Sequence, residues 1–181
     1  MFSRAKQQKK TPKPVRVPTA TYLENAALYY VQRYSATTAS LRRVLQKRVM
    51  KAQHAYADFD ASPCAAWIDA VIAKFTRLGY VNDEQYAEQK TQSLRRKGAS
   101  ARAIGAKLRE KGLTVTVDSD EETELAAAKR YVKRKRLGVY RTRVTEDSAN
   151  KDLAALARAG FSRSIAQSAL KAALREQTDR E

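Results

Sequence analysis

One histidine and one cysteine are all that this 181-residue chain offers to the commonest catalytic and metal-binding chemistries. Nucleophile–base catalysis needs a positioned base. His54 stands near Lys51 on a basic stretch, where a solvated surface role is expected. A His/Cys zinc site needs several ligands, and His54 and Cys64 stand apart in the chain. A lone Cys64 makes no intramolecular disulfide, which fits a reducing compartment. It follows Pro63 at the start of a helical pattern, where packing is expected rather than reactivity. No glycine-rich phosphate loop is present. The acids between 118 and 124 lack the alternating spacing and turn glycine of a calcium loop. No enzyme activity and no cofactor are expected.

Turn residues are also scarce, with six glycines and four prolines, three of the prolines before residue 19. An all-β chain needs more. No apolar run approaches a membrane span, and the N-terminus lacks an apolar signal core, so a cytoplasmic protein without a membrane partner is expected. What is abundant is charge of one sign. Lys plus Arg is 36 against 19 acids, a net of +17. Arg4, Lys6, Lys9, Lys10, Lys13 and Arg16 precede any acid, and subtracting these six from +17 still leaves +11 on the rest. A basic tail therefore does not account for the excess. The body itself is basic, which points to a polyanion or an acidic protein surface.

The apolar pattern is helical throughout. Leu23, Ala27, Tyr30, Val31 and Tyr34 share one face. Ser35 is the expected cap of the next helix, with Leu41, Val44, Leu45 and Val49 as its stripe. Trp67, Val71, Ile72, Phe75 and Leu78 form the strongest stripe, closed by Gly79. Asn82 caps a fourth helix ending at Gly98, and Ser100 a short fifth ending at Gly112. TVTV at 114–117 has strand composition but no partner strand, so it is read as an extended connector. Ser119 with Glu122 predicts a capping box for a sixth helix, and its first-turn acids suit the helix dipole. Two more helices are expected near 146–159 and 163–175.

Three phrases repeat: IAKFTRLGY at 72–80, GAKLREKGL at 105–113 and LAALARAGF at 153–161. Glycine after a basic last turn, with an apolar residue beyond it, is ordinary helix-end chemistry. Descent from a repeat is the other source. Leu41 and Leu45 stand 63 positions before Ile104 and Leu108, and Gly112 and Leu113 stand 48 before Gly160 and Phe161. The helices at 40–49, 103–113 and 152–161 then read as one second helix in three copies, and Gly79 as helix-end chemistry alone. The expected organisation is all-α: tandem three-helix repeats in an elongated, curved array. Residues 1–20 form a disordered basic tail, 21–80 the first repeat, 81–118 a second with its third helix short or missing, and 119–181 the third.

Each repeat carries a basic run. Arg42, Arg43, Lys47, Arg48 and Lys51 lie where no acid occurs between Asn25 and Ala57. Arg95, Arg96 and Lys97 end the fourth helix. Lys133, Arg134, Lys135, Arg136, Arg141 and Arg143 fill the end of the sixth and its exit, with Tyr131 and Tyr140 among them to stack or pack. Each run alone is a solvated helix face. Together they are expected to form one basic surface for nucleic acid or filament.

The order of motifs over about residues 22–175 resembles the RecX family of bacterial regulatory proteins. The resemblance rests on GYVNDEQYAEQ at 79–89, RYSATTASLRRVLQKRV at 33–49, KRKRLGVYR at 133–141 and LARAGFSRSIAQSAL at 156–170. It implies tandem three-helix repeats, no catalytic residues, and a partner: the RecA recombinase filament on DNA, whose strand exchange, ATPase and co-protease activities the family modulates, generally as an inhibitor. A monomer binding DNA non-specifically is the expected form. The rival is a general nucleic-acid binder without a recombinase. The chain departs from the pattern after Gly112, where TVTVDSDE stands in place of a third helix.

Overall fold

The computed structural model describes residues 14–143 and 145–178. Eight helices follow in order: α1 (Ala20–Val31), α2 (Thr38–Ala55), α3 (Cys64–Arg77), α4 (Asp83–Arg96), α5 (Ala101–Glu110), α6 (Glu121–Lys135), α7 (Ser148–Arg158) and α8 (Arg163–Thr178), with a 3₁₀ turn at Gly138–Tyr140. No strand occurs among the described residues, so the chain is all-α. The tail expected over 1–20 falls, up to residue 13, outside the described residues. Residues 14–16 lie against α2, and the Tyr56 hydroxyl just after that helix donates to the Val15 carbonyl at 2.5 Å.

Three separate apolar clusters organise the helices. Leu23 and Ala27 of α1, Leu41 and Leu45 of α2, and Ile68, Val71, Ile72 and Phe75 of α3 bury together. Ala127, Ala128 and Val132 of α6 bury with Leu156 of α7 and Ile165, Ala166 and Ala169 of α8. The middle cluster is the smallest: Ala87 of α4, Ile104 and Leu108 of α5, and Leu113. Each large apolar side chain fully buried stabilises by about 1.5–3 kcal/mol, so the two-helix middle unit draws least from its own core.

Two caps differ from expectation for a physical reason. Thr37, not Ser35, caps α2: its hydroxyl accepts from the Ser40 amide at 3.1 Å while Ser40 accepts from the Thr37 amide at 2.8 Å. This reciprocal pair satisfies two orphan donors, which Ser35, two residues further out, cannot reach. Asp120, not Ser119, caps α6, accepting from the Thr123 amide at 2.6 Å. Those hydrogen bonds from Thr123 hold the Asp120 carboxyl below its ordinary range. Ser119 is freed to donate to Glu124 at 3.0 Å. The first helix also ends at Val31 rather than near Tyr34, and Tyr34 is exposed, tilted 5.2 Å from the Tyr30 ring. Asn82 and Ser100 cap α4 and α5 as expected.

The units are joined by one arrangement used twice. The buried Thr37 hydroxyl donates to the Lys111 carbonyl at 2.7 Å, and the buried Ser100 hydroxyl to the Ala159 carbonyl at 2.7 Å. Each N-cap hydroxyl thus satisfies a last-turn carbonyl in the next unit. Beside it a carboxylate from the next unit takes a free amide at the same helix start. Asp83 accepts from the Thr38 amide at 2.8 Å, and Glu124 from the Ala101 amide at 2.8 Å. The positions are 63 apart on one side, Thr37 with Ser100, and 48 apart on the other, Lys111 with Ala159. Those are the offsets seen in the apolar pattern. A Cβ on Gly112 would stand 2.3 Å from the Ala39 Cβ, and one on Gly160 2.6 Å from the Ser100 hydroxyl. One on Gly79 would meet nothing within 4 Å. The repeated phrase therefore has two origins: joint packing at 112 and 160, helix-end geometry alone at 79.

Candidate functional site

On α2 the cations divide between two faces. Arg43, Lys47 and Lys51, at spacing of four, form an exposed stripe. Arg42 points the other way and pairs with Asp69 of α3 at 2.5 Å, both partly exposed. Arg48 is half-buried: its Nη1 donates to the Tyr22 hydroxyl at 2.9 Å, and its guanidinium lies 5.7 Å from that ring. Its Nε is buried without a partner among the described residues. Arg16, from the segment before α1, joins Lys47, Arg48 and Lys51 around a cleft of about 580 Å³ that no acid lines. Sequence reasoning left Arg16 and Tyr22 out of the site. Their signal was only proximity to the start of α1, and nothing local in the sequence says that this segment lies along α2.

At the end of α6, Lys133, Arg134, Lys135 and Arg136 are all exposed. The Arg134 guanidinium lies 5.5 Å from the Tyr131 ring. Tyr131 meets Phe161 edge-on at 5.9 Å, and Tyr140 packs against the third core, so both rings pack rather than standing free to stack. Arg143 is exposed, as are Arg96 and Lys97 after α4.

Arg95 and Arg141 have internal partners. Arg95 pairs with Glu124 at 2.6 Å, with side chains 14% and 17% exposed, and donates to the Ala99 carbonyl at 3.2 Å. Burial alone would raise the Glu124 carboxyl. Hydrogen bonds from Arg95, the Ala101 amide and Ser119 outweigh it and hold the group below the ordinary glutamate range. Arg141 pairs with Asp152, which is 2% exposed and also accepts from the Gly138 amide at 2.7 Å. That hydrogen bonding, set against the opposing effect of burial, raises the Arg141 guanidinium further. A signal for this pair existed in the sequence. Asp152 falls four residues from both Ser148 and Leu156, on the buried stripe of α7, where a carboxylate needs a partner. His54 is exposed. Cys64 is buried, and that burial, with Asp60 nearby, pushes its thiol up, away from reactivity.

What remains is two exposed cation clusters, on α2 and at the end of α6, with a smaller one after α4. Exposed cations of this kind suit a polyanion or an acidic protein surface by charge. The chain is 43% identical over 171 residues to the regulatory protein RecX of Myxococcus xanthus (strain DK1622), covering 90% of this chain and 91% of that one. The chain belongs to the RecX family. A second RecX regulatory protein, from Thermobifida fusca (strain YX), is 31% identical over 105 residues, 55% of this chain and 57% of its own. The family model for the second three-helix domain of RecX matches residues 82–116. No solved structure matches the chain. RecX proteins are regulators rather than enzymes. No helix among the described residues is long and apolar enough to cross a membrane.

Proposed function

We propose that this RecX-family chain acts in the cytoplasm as a monomer that lies along the RecA–DNA filament. There it modulates the ATPase, strand exchange and co-protease activities of the filament, with inhibition the expected direction. The observation that carries this reading is the pair of exposed cation clusters, Arg43/Lys47/Lys51 and Lys133–Arg136, in the first and third of three consecutive units of a RecX-family chain. Residues 21–80, 81–118 and 119–181 act in it as three repeats, so a ligand with periodic phosphates or periodic subunits is met at more than one point. Arg95 and Arg141 serve by shaping the units, and Arg42 and Arg48 by flanking the first cluster.

The test is addition of the protein to preformed, DNA-saturated recombinase filaments. The expected result is a fall in ATPase at substoichiometric protein. Unchanged ATPase and filament length at stoichiometric excess would replace this reading with a general nucleic-acid binder. For free DNA the expected binding is weak and independent of sequence. If about six phosphates are neutralised, log affinity falls against log salt with a slope near −5.

A further inference from the structure

Apart from Val117, the segment TVTVD at 114–118 is used by neither the cores nor the basic surface. It returns from the end of α5 to its beginning. The Leu113 amide bonds the Leu108 carbonyl, and Ser119 bonds the same Glu124 carboxylate that accepts from the Ala101 amide. Covering the length of α5, about 15 Å, in six residues requires a largely extended chain. No hydrogen bond ties any backbone amide or carbonyl of 114–118 to another described residue. Thr114, Val115 and Thr116 are exposed, and Val117 turns into the small middle core. The residue types are β-branched and alternate, as in a strand.

Beside this segment lies a cavity of about 680 Å³ walled by one face of α4. Glu84, Ala87 and Glu88 lie on that face, opposite Val115, Val117 and Asp118. In the first unit α3 packs against both α1 and α2, and in the third α8 packs against both α6 and α7. The middle unit has no third helix, and the thin extended segment leaves the α4 side open. The opening is rimmed by three carboxylates and lined by no cation, in a chain of net charge +17. Its walls set Ala87, Val115 and Val117 among the carboxylates, Thr91, Gln92 and Thr116. Open main-chain groups alongside suit strand addition, in which backbone hydrogen bonds supply affinity and flanking side chains supply specificity.

We propose that residues 114–118 and the acidic face of α4 form a docking site for an extended, basic segment of a partner protein. The segment adds as a strand beside Val115–Val117 and sets its cations against Glu84, Glu88 and Asp118. The proposal stands apart from the filament reading, and its test contains neither recombinase nor DNA.

The probe is an acetylated nine-residue peptide alternating lysine and valine, titrated into the full chain, with exchange of individual amide protons read by NMR. A strand pairs through every second residue. Amides at alternate positions of 114–118 should slow at least about tenfold at saturation, with the positions between unchanged. Proline at a protected position, for instance Thr116→Pro or Val117→Pro according to which is protected, should abolish binding, while proline at its neighbour leaves it. E84K combined with E88K should weaken binding at least about tenfold with the far-UV circular dichroism unchanged. Absent or uniform protection overturns the proposal, as does equal binding of a peptide alternating glutamate and valine. Alternate protection already present in the free chain, and lost on removing residues 1–13, assigns the groove to the chain's own basic tail and overturns the partner assignment.

Discussion

Five helices end on a residue of positive φ followed by an amide that reaches back five positions, and four of the five use glycine there. Gly79, Gly98, Gly112 and Gly160 fill the second position after α3, α4, α5 and α7. After α6 the positive-φ residue is Arg136, at φ 52°, with the Leu137 amide on the Val132 carbonyl at 2.9 Å. A side chain in this region costs about 1–2 kcal/mol relative to glycine, and such strain tends to be kept where a side chain is needed. Arg136→Gly should therefore stabilise the fold by about 1 kcal/mol, seen as a raised Tm, while weakening whatever the α6 cluster binds. A variant that lost stability would show that Arg136 holds the fold through its side chain.

The Glu124 carboxylate offers a second test at this scale. Its folded-state pKa is depressed, so its contribution is fully present above the ordinary glutamate value of about 4.5. That contribution is lost as pH falls from there through the lower folded value. Glu124→Gln leaves Arg95 without its partner and frees one bond at the start of α5. At neutral pH it should cost about 2–3 kcal/mol, somewhat under the loss for a fully buried pair. Thermal unfolding of the two proteins, followed against pH, should converge only well below pH 4.5. A constant gap down to pH 2 would mean that the charge on Glu124 is not what matters. The pair was out of reach in the sequence because its members lie 29 positions apart and join different units. Arg95 reads locally as one more cation in RRK.

At the scale of elements, the stripes, the caps at Asn82 and Ser100 and the helix-ending glycines were legible because they are local: spacing of three and four, an oxygen before a stripe, a glycine after it. The caps at Thr37 and Asp120 were misplaced by one or two residues because each competes with a neighbouring hydroxyl: Thr37 is held by Ser40 and, across the joint, by Lys111, and Asp120 by the Thr123 amide. The repeat offsets were legible, but not their cause. Gly112 and Gly160 recur because another unit's N-cap presses on them, whereas Gly79 ends its helix in open space. Gly79→Ala should accordingly cost about 1 kcal/mol, the left-handed strain alone. Gly112→Ala must also displace the Ala39 methyl and the Thr37–Lys111 hydrogen bond, so about 2–4 kcal/mol is expected. Denaturant midpoints of the two variants measure the difference. Equal losses would show that the joint between the first and second units gives way without resistance.

At the scale of the molecule, the most extensive helix–helix packing lies within units, and the joints rest on a few hydrogen bonds, the Arg95–Glu124 ion pair and close contacts. Such a chain presents its clusters at spacings fixed by those joints. Two clusters bound to one filament raise each other's effective concentration, a gain lost when either fails. Sequence reading took Arg42, Arg43, Lys47, Arg48 and Lys51 together as the first cluster. The structure favours Arg43, Lys47 and Lys51, since Arg42 is paired with Asp69 and Arg48 is held by Tyr22. Changing Arg43, Lys47 and Lys51 together to Ala should nearly abolish the effect on filament ATPase. Changing Lys133, Arg134 and Lys135 should do the same. All six side chains are exposed, so each triple should shift stability by under about 1 kcal/mol. Additive, graded losses would mean that the clusters act one at a time, as on free DNA. Thr37→Val supplies the control for geometry, because it keeps every cation and removes the one hydroxyl that both caps α2 and donates to Lys111. If linkage through rigid joints produces the effect, this variant loses filament inhibition while keeping its affinity for short DNA, and retention of both would show that the joints do not set the spacing.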